Sequence, residues 1–172
     1  MTLDPKKREH LSRGDAKFRE IIEKYGWHVM SVAPRTGSAD KEEWFSYSTG
    51  LYLRFRQPEM IVLGLDSDTG ARILNEIGEQ MKRGRTFELG TDYHDIFAND
   101  VPCQFKPVHR TQYREYVCFS TWFYETTDFP VWQCLWPDRN GIYPWLQGCN
   151  QEVAQLQPLL SVPLNSQPGA AM

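Results

Sequence analysis

The run W-P-D-R-N-G-I-Y-P-W, from Trp136 to Trp145, gathers residue types suited to recognition. Arg139 is a rigid fork of donors, and Trp136, Tyr143 and Trp145 would form an aromatic wall. Together they suit a flat anionic or heteroaromatic ligand. The same residues also describe a turn. Asp138 can accept from nearby backbone amides, Asn140-Gly141 supplies the positive φ of a tight reversal, and the large rings would cover one end of a core. Both readings stay open. The ligand reading adds Tyr47 and Thr49 as hydroxyl donors, with Asp138 holding either Arg139 or the turn.

Glu59 is the second chemical candidate, because it opens what reads as a buried strand directly after a proline. A carboxylate there caps local amides or pairs with Arg56 or Arg139; buried without a cation, its pKa rises toward that of a general base. Asp138 and His94 complete the acid–base candidates. Asp92-Tyr93-His94-Asp95 sets two carboxylates beside an imidazole, but reads more simply as a polar loop, and no metal site is expected. The hydroxyls of Ser46, Ser48 and Thr49 alternate along a strand and lack a G-x-S-x-G elbow. Cys103 and His109 would form a nucleophile–base pair only if the fold joined them. Neither G-x-G-x-x-G nor a P-loop occurs, so no dinucleotide or nucleotide motif is present, and the cofactor, if any, stays unknown.

These groups need elements to position them. Phe18, Ile21, Ile22 and Tyr25 recur at helical spacing, with Asp15 a suitable N-cap and Gly26 a suitable stop. Strands are expected over WHVMSVAP, WFSYSTGLY and the continuous apolar run PEMIVLGL. A helix follows, capped by Asp66, with Ile73, Leu74, Ile77 and Met81 as its stripe and Gly84 at its end. RTFELG reads as a short strand, TDYHDIFANDVP as a loop with one helical turn, and CQFKPVH as a strand whose proline places it at an edge or a bulge. Residues 111–125 read as a helix, FPVWQCLW as the last strand and 149–156 as a short helix.

The intermixed order favours a single α+β domain over 14–160. Its sheet is expected to be mixed and mostly antiparallel, or a partly open barrel, with two to four flanking helices. Residues 1–13 and 161–172 read as flexible ends, and RTGSADKEE (35–43) as a polar loop. With 172 residues, 41% apolar and 24% charged, the chain can bury one core. A net charge of -3 argues against nucleic acid and anionic membrane as partners. Lys82, Arg83 and Arg85 are the nearest approach to a basic patch, and a helix C-terminus accounts for them. No apolar run would span a bilayer and no export signal is evident, so the expected location is the cytoplasm, with Cys103, Cys118, Cys134 and Cys149 reduced.

The segments YGWHVMSV, FSYSTGLY, PEMIVLGL, ILNEIGEQMKRG, CLWPDRNGIYPW and QPLL, in that order over roughly residues 25 to 160, resemble a bacterial family known as domain of unknown function 4262. The resemblance implies a small, stand-alone, cytosolic bacterial protein and brings no established activity. Relatives usually carry G-H-P-E where this chain has Arg56-Gln57-Pro58-Glu59. A catalytic role for that histidine would therefore be missing here, which favours a structural or binding role for the position. The expected function is a binding module, a small-molecule sensor or an immunity-type protein partner, acting as a monomer or homodimer. The alternative is a small enzyme, either hydrolase-like with Glu59, His94 or Asp138, or an FMN-type oxidoreductase by analogy with small flavin-binding barrels.

Overall fold

The computed structural model describes residues 5–34 and 44–166. The expected loop over 35–43, the first four residues and residues 167–172 lie outside the described residues. Five strands form one open sheet: β1 (His28–Val32), β2 (Phe45–Thr49), β3 (Glu59–Leu63), β4 (Gln104–Pro107) and β5 (Val131–Leu135). Their order is β1-β2-β3-β5-β4, and only β3 and β5 run parallel. The sheet keeps two edges, β1 and β4, so the barrel on which the flavin analogy leaned is not formed. Pro107 sits on β4, an edge strand, where a missing N–H costs least.

Alternation along the strands builds two cores. Met60, Val62 and Cys134 face α3 (Ser67–Lys82) and its stripe of Ile73, Leu74 and Ile77. Tyr47, Ile61, Leu63 and Val131 face the other way, onto Tyr113, Val117, Phe129 and Leu160. All five residues of β3 are buried, as its unbroken apolar run requires in the middle of a two-sided sheet. Asp66 caps α3 by accepting from the Thr69 N–H at 2.9 Å.

Several boundaries differ from the sequence reading. The first helix, α1 (Pro5–Tyr25), begins ten residues before the Asp15 cap, at a proline suited to a helix start. WFSYSTGLY splits at Gly50 into β2 and a short helix, α2 (Leu51–Phe55). RTFELG forms no strand, because Phe87 packs edge-on against Tyr93 and Phe105 and no neighbouring strand pairs with the segment. The helix over 111–125 is broken at Val117 (φ −130°, ψ 42°) into α4 (Tyr113–Tyr116) and α5 (Cys118–Tyr124). A final helix, α6 (Gln151–Leu156), is capped by Asn150.

Gly78 sets how closely α3 approaches the chain after α1. A methyl there would lie 2.5 Å from Trp27 Cε2, and Trp27 is buried with its Nε1–H donating to Asn75 Oδ1 at 3.0 Å. Alanine ordinarily gains about 1 kcal/mol over glycine inside a helix, while overpacking costs about 1–3 kcal/mol. With a pinned indole opposite, the steric effect prevails. Gly78→Ala is expected to lower stability by about 1–2 kcal/mol, read from a urea midpoint that falls with an unchanged m-value.

Candidate functional site

The antiparallel register Phe45↔Leu63 decides which candidates can meet. It puts the end of β2, with Thr49, beside the start of β3, and puts Trp136, just past β5, at the opposite end of the sheet. Four strand steps separate Glu59 from Leu63, on the order of 13 Å. The predicted constellation is therefore split. Tyr47, Thr49 and Glu59 belong to one end or to the α5 face, and Trp136, Asp138, Arg139, Tyr143 and Trp145 to the other. The antiparallel pairing of β2 with β3 carries Thr49 away from Trp136.

At the Trp136 end the motif is a turn held by its carboxylate. Asp138 Oδ1 accepts from the Asn140 and Ile142 N–H groups at 2.9 and 3.0 Å, and Oδ2 accepts from Asn150 N–H at 2.8 Å. Gly141 takes φ +78°, and its N–H donates to the Asp138 carbonyl. Those amides hold the Asp138 carboxyl below the usual carboxylate range, so it stays ionised and is poorly suited to deliver a proton. Trp136 donates from Nε1 to the Leu63 carbonyl at 3.2 Å, and its backbone N–H and carbonyl both bond the Gln157 amide. Tyr143 donates to Asp92 at 2.7 Å and stacks on Trp145 at 4.6 Å, while Lys106 Nζ lies 4.4 Å from the Trp145 ring centroid. The rings offered to a ligand are thus engaged within the protein. Arg139 alone of the group is exposed, and its side chain has no hydrogen bond, ion pair or ring contact among the described residues.

This arrangement separates two neighbouring substitutions. Asp138→Ala orphans three backbone donors and is expected to lower Tm by roughly 5–10 °C. Arg139→Ala is expected to leave Tm within about 1–2 °C. Thermal melts of the two variants side by side check the pair, and equal losses would contradict it.

His94 is exposed, with Nδ1 3.2 Å from the Asp100 carbonyl. Asp92 and Asp95 are occupied by Tyr143 with Gln104, and by Arg85. Among the described residues, no three His, Cys, Asp or Glu side chains converge as metal ligands. Cys103 lies buried beside Cys134, while His109 bonds Thr111 beyond the far end of β4, so the two do not pair. All four cysteines are free thiols; Cys103 and Cys134 are buried and Cys118 is exposed. Arg83 and Arg85 are bonded to Glu76 and to Asp95 with Gln80.

Glu59 is the most unusual ionisable group. It is fully buried without a cation, so neither Arg56 nor Arg139 neutralises it. Oε2 accepts from Ser48 Oγ at 2.6 Å, and Oε1 accepts from Gly50 N–H at 2.7 Å, Tyr52 N–H at 3.2 Å and the Tyr124 hydroxyl. Beyond Tyr47↔Ile61 the β2–β3 pairing opens, and Met60 N–H donates to Ser48 Oγ instead of to a strand carbonyl. The carboxylate fills that opening. Burial pushes its pKa up, and the four donors oppose the shift without cancelling it. The same contacts raise the Tyr124 phenol above its ordinary range through desolvation and the neighbouring carboxylate.

Arg56 ends α2 in a left-handed conformation (φ 56°, ψ 28°), a position where glycine is favoured. Gln57 donates to the Arg85 carbonyl at 2.7 Å, tying the approach to β3 onto the segment after α3.

Hollows mark the surface of the described residues. One of about 450 Å³ is lined by Glu76, Gln80, Arg83, Arg85 and Asp95, whose polar groups largely bond one another. Another, of about 350 Å³, lies where β3 and β5 begin and β4 ends. Tyr52, Val108, Tyr113, Phe129, Val131 and Trp132 are among its lining residues, with Arg110 and Asp128 as its charged groups. Tyr52 links it to Glu59 through its backbone N–H, and Glu59 N–H bonds the Pro130 carbonyl on the same rim. None of these lining residues stood out in sequence as a site, because they come from three separate segments.

The fold defines a single α+β domain, an open mixed sheet covered on both faces, and no helix among the described residues is long and apolar enough to cross a membrane. The pattern of one family, Domain of unknown function (DUF4262), matches residues 21–150, and the chain belongs to that family. No curated protein and no solved structure matches it.

Proposed function

We propose that this DUF4262 protein is a small-molecule-binding module whose ligand occupies the hollow between Tyr52, Tyr113, Phe129 and Trp132. The observation that carries the reading is an open hollow of about 350 Å³ to which Tyr52, Tyr113 and Phe129 bring aromatic rings and Arg110 and Asp128 bring charges, residue types that ligand sites use for contact and orientation. The Trp136–Trp145 turn is the weaker candidate because its rings and its carboxylate already have partners. A small-molecule ligand is favoured over an immunity-type protein partner because the hollow is concave and of ligand size.

Ligand-observed NMR with a set of small flat aromatic compounds tests the site. Hits weakened by Tyr52→Ala and indifferent to Arg139→Ala support the hollow. Hits with the opposite pattern support the turn, and a screen without hits removes the small-molecule reading. A second reading, an enzyme, draws on the hydrogen bond from Tyr124 to the buried Glu59. It requires a path for a substrate to a carboxylate that the protein now encloses.

A further inference from the structure

The hollow also carries information about the chemistry of its occupant. Its buried floor, Val108, Tyr113, Phe129 and Val131, is apolar, and the Tyr113 hydroxyl is turned away onto the Phe129 carbonyl at 2.7 Å. Tyr52 lies on the same side of the sheet as Tyr113 and Phe129, whereas the Trp132 ring packs on Phe105 toward the other face and borders the hollow from there. A flat ring fits such a lining better than a branched or strongly hydrated group.

Charge at the rim is asymmetric in what it can still do. Arg110, in the turn before α4, meets Asp128 through one Nη2–Oδ1 contact of 2.8 Å. A guanidinium has five N–H donors arranged to take a carboxylate by two parallel bonds, so this single contact leaves most of the fork available. Both side chains are largely exposed, 61% for Arg110 and 81% for Asp128, so the carboxylate can turn to water and leave the guanidinium, which the segment that also supplies Tyr113 carries at the mouth. The Asp128 carboxylate stands where a ligand's anionic group would stand.

We infer that the hollow takes a flat aromatic anion, its ring against Tyr52 over the Tyr113 and Phe129 floor and its carboxylate on Arg110 in place of Asp128. The inference rests on the small-molecule reading above and gives that reading a ligand class. Arg110 is the specificity-determining residue, and Asp128 is an internal competitor for it.

The test is a calorimetric or NMR titration at low salt with 2-naphthoate and with its neutral counterpart, 2-naphthamide. The wild-type protein is expected to prefer the naphthoate by about fivefold, the size of a well-placed but solvent-accessible ion pair. Arg110→Gln should bring naphthoate down to the naphthamide level while leaving naphthamide unchanged. Asp128→Asn should tighten naphthoate by about twofold to threefold. High salt should narrow the preference, since the rim is exposed. Tyr52→Ala should weaken both probes alike. Equal binding of the two probes, insensitive to Arg110→Gln but lost in Tyr52→Ala, would overturn the anion inference and leave the site standing. Binding of neither probe, or binding indifferent to Tyr52→Ala, would overturn both.

Discussion

Glu59→Ala is expected to destabilise the protein by about 3 kcal/mol, which for a chain of this size lowers Tm by roughly 6–12 °C. The carboxylate accepts from Ser48, Gly50, Tyr52 and Tyr124, and the first two of these contacts are buried. Each buried donor left without an acceptor costs about 1–3 kcal/mol. Removing a desolvated charge recovers part of that loss, which keeps the expected figure below the sum. Glu59→Gln has a different prospect. The amide oxygen can keep the Gly50, Tyr52 and Tyr124 contacts, and its NH₂ can face Ser48 Oγ, whose hydroxyl rotates to accept. That variant is expected to stay within about 1 kcal/mol of the wild type.

The two variants separate charge from shape through pH. Burial raises the folded-state pKa of Glu59 above its ordinary value of 4.5. The folded protein therefore holds the proton more tightly than the unfolded chain. Stability from this group is fully present below pH 4.5 and is lost as pH rises through the folded value. Asp92, Asp95 and Asp138, held low by hydrogen bonds, have the opposite sign, and their stability is lost as the solution becomes more acidic than the ordinary Asp range. His28, kept neutral by burial, adds stability as pH rises toward 6.5. The difference between wild type and Glu59→Gln isolates Glu59 from these groups. The wild type is expected to lose stability relative to the variant as pH is raised from 4.5 to 8, measured by urea melts at each pH. Parallel profiles would show that Glu59 titrates as it does in the unfolded chain.

The sequence made the local pieces legible wherever one strong pattern acted alone. The apolar run of β3, the stripe and Asp66 cap of α3, and the proline of the edge strand β4 all read correctly, because each depends on nearest neighbours in the chain. The Asp138 turn was readable for the same reason. Long-range choices were not. Nothing in FSYSTGLY or PEMIVLGL states that they run antiparallel, yet that register separates Thr49 from Trp136. The run Leu51–Phe55 alternates no more like a helix than like a strand; it coils because Gly50 turns and Glu59 receives its first amides. The break at Val117 follows from two short helices packing against one sheet face, with Tyr47 accepting the Phe119 N–H at 3.2 Å. The hollow escaped notice because its walls come from residues 52, 107–113 and 128–132, which only the sheet order brings together.

Gly50→Ala is expected to cost at least about 3 kcal/mol, combining roughly 1–2 kcal/mol for backbone strain with 1–3 kcal/mol for overpacking. Gly50 has φ +116°, and a methyl there would lie 2.7 Å from the Gly26 carbonyl oxygen and 2.9 Å from Trp27 Cα. Both obstacles are backbone, so no rotamer change relieves them. Relief must come from moving the strand end, and that movement draws the Gly50 N–H away from Glu59 Oε1. The two residues consequently act as one unit, and their effects should not add. In a double-mutant cycle, Gly50→Ala should cost about 1 kcal/mol less in a Glu59→Ala background than in the wild type. Additive losses would mean that the Gly50–Glu59 contact survives the shift. The unit matters for the site because it positions α2, and α2 carries Tyr52 to the wall of the hollow. Probe binding that fails in Glu59→Gln as well, a variant expected to stay folded, would make the buried carboxylate a positioning residue for the ligand rather than a support for the fold alone.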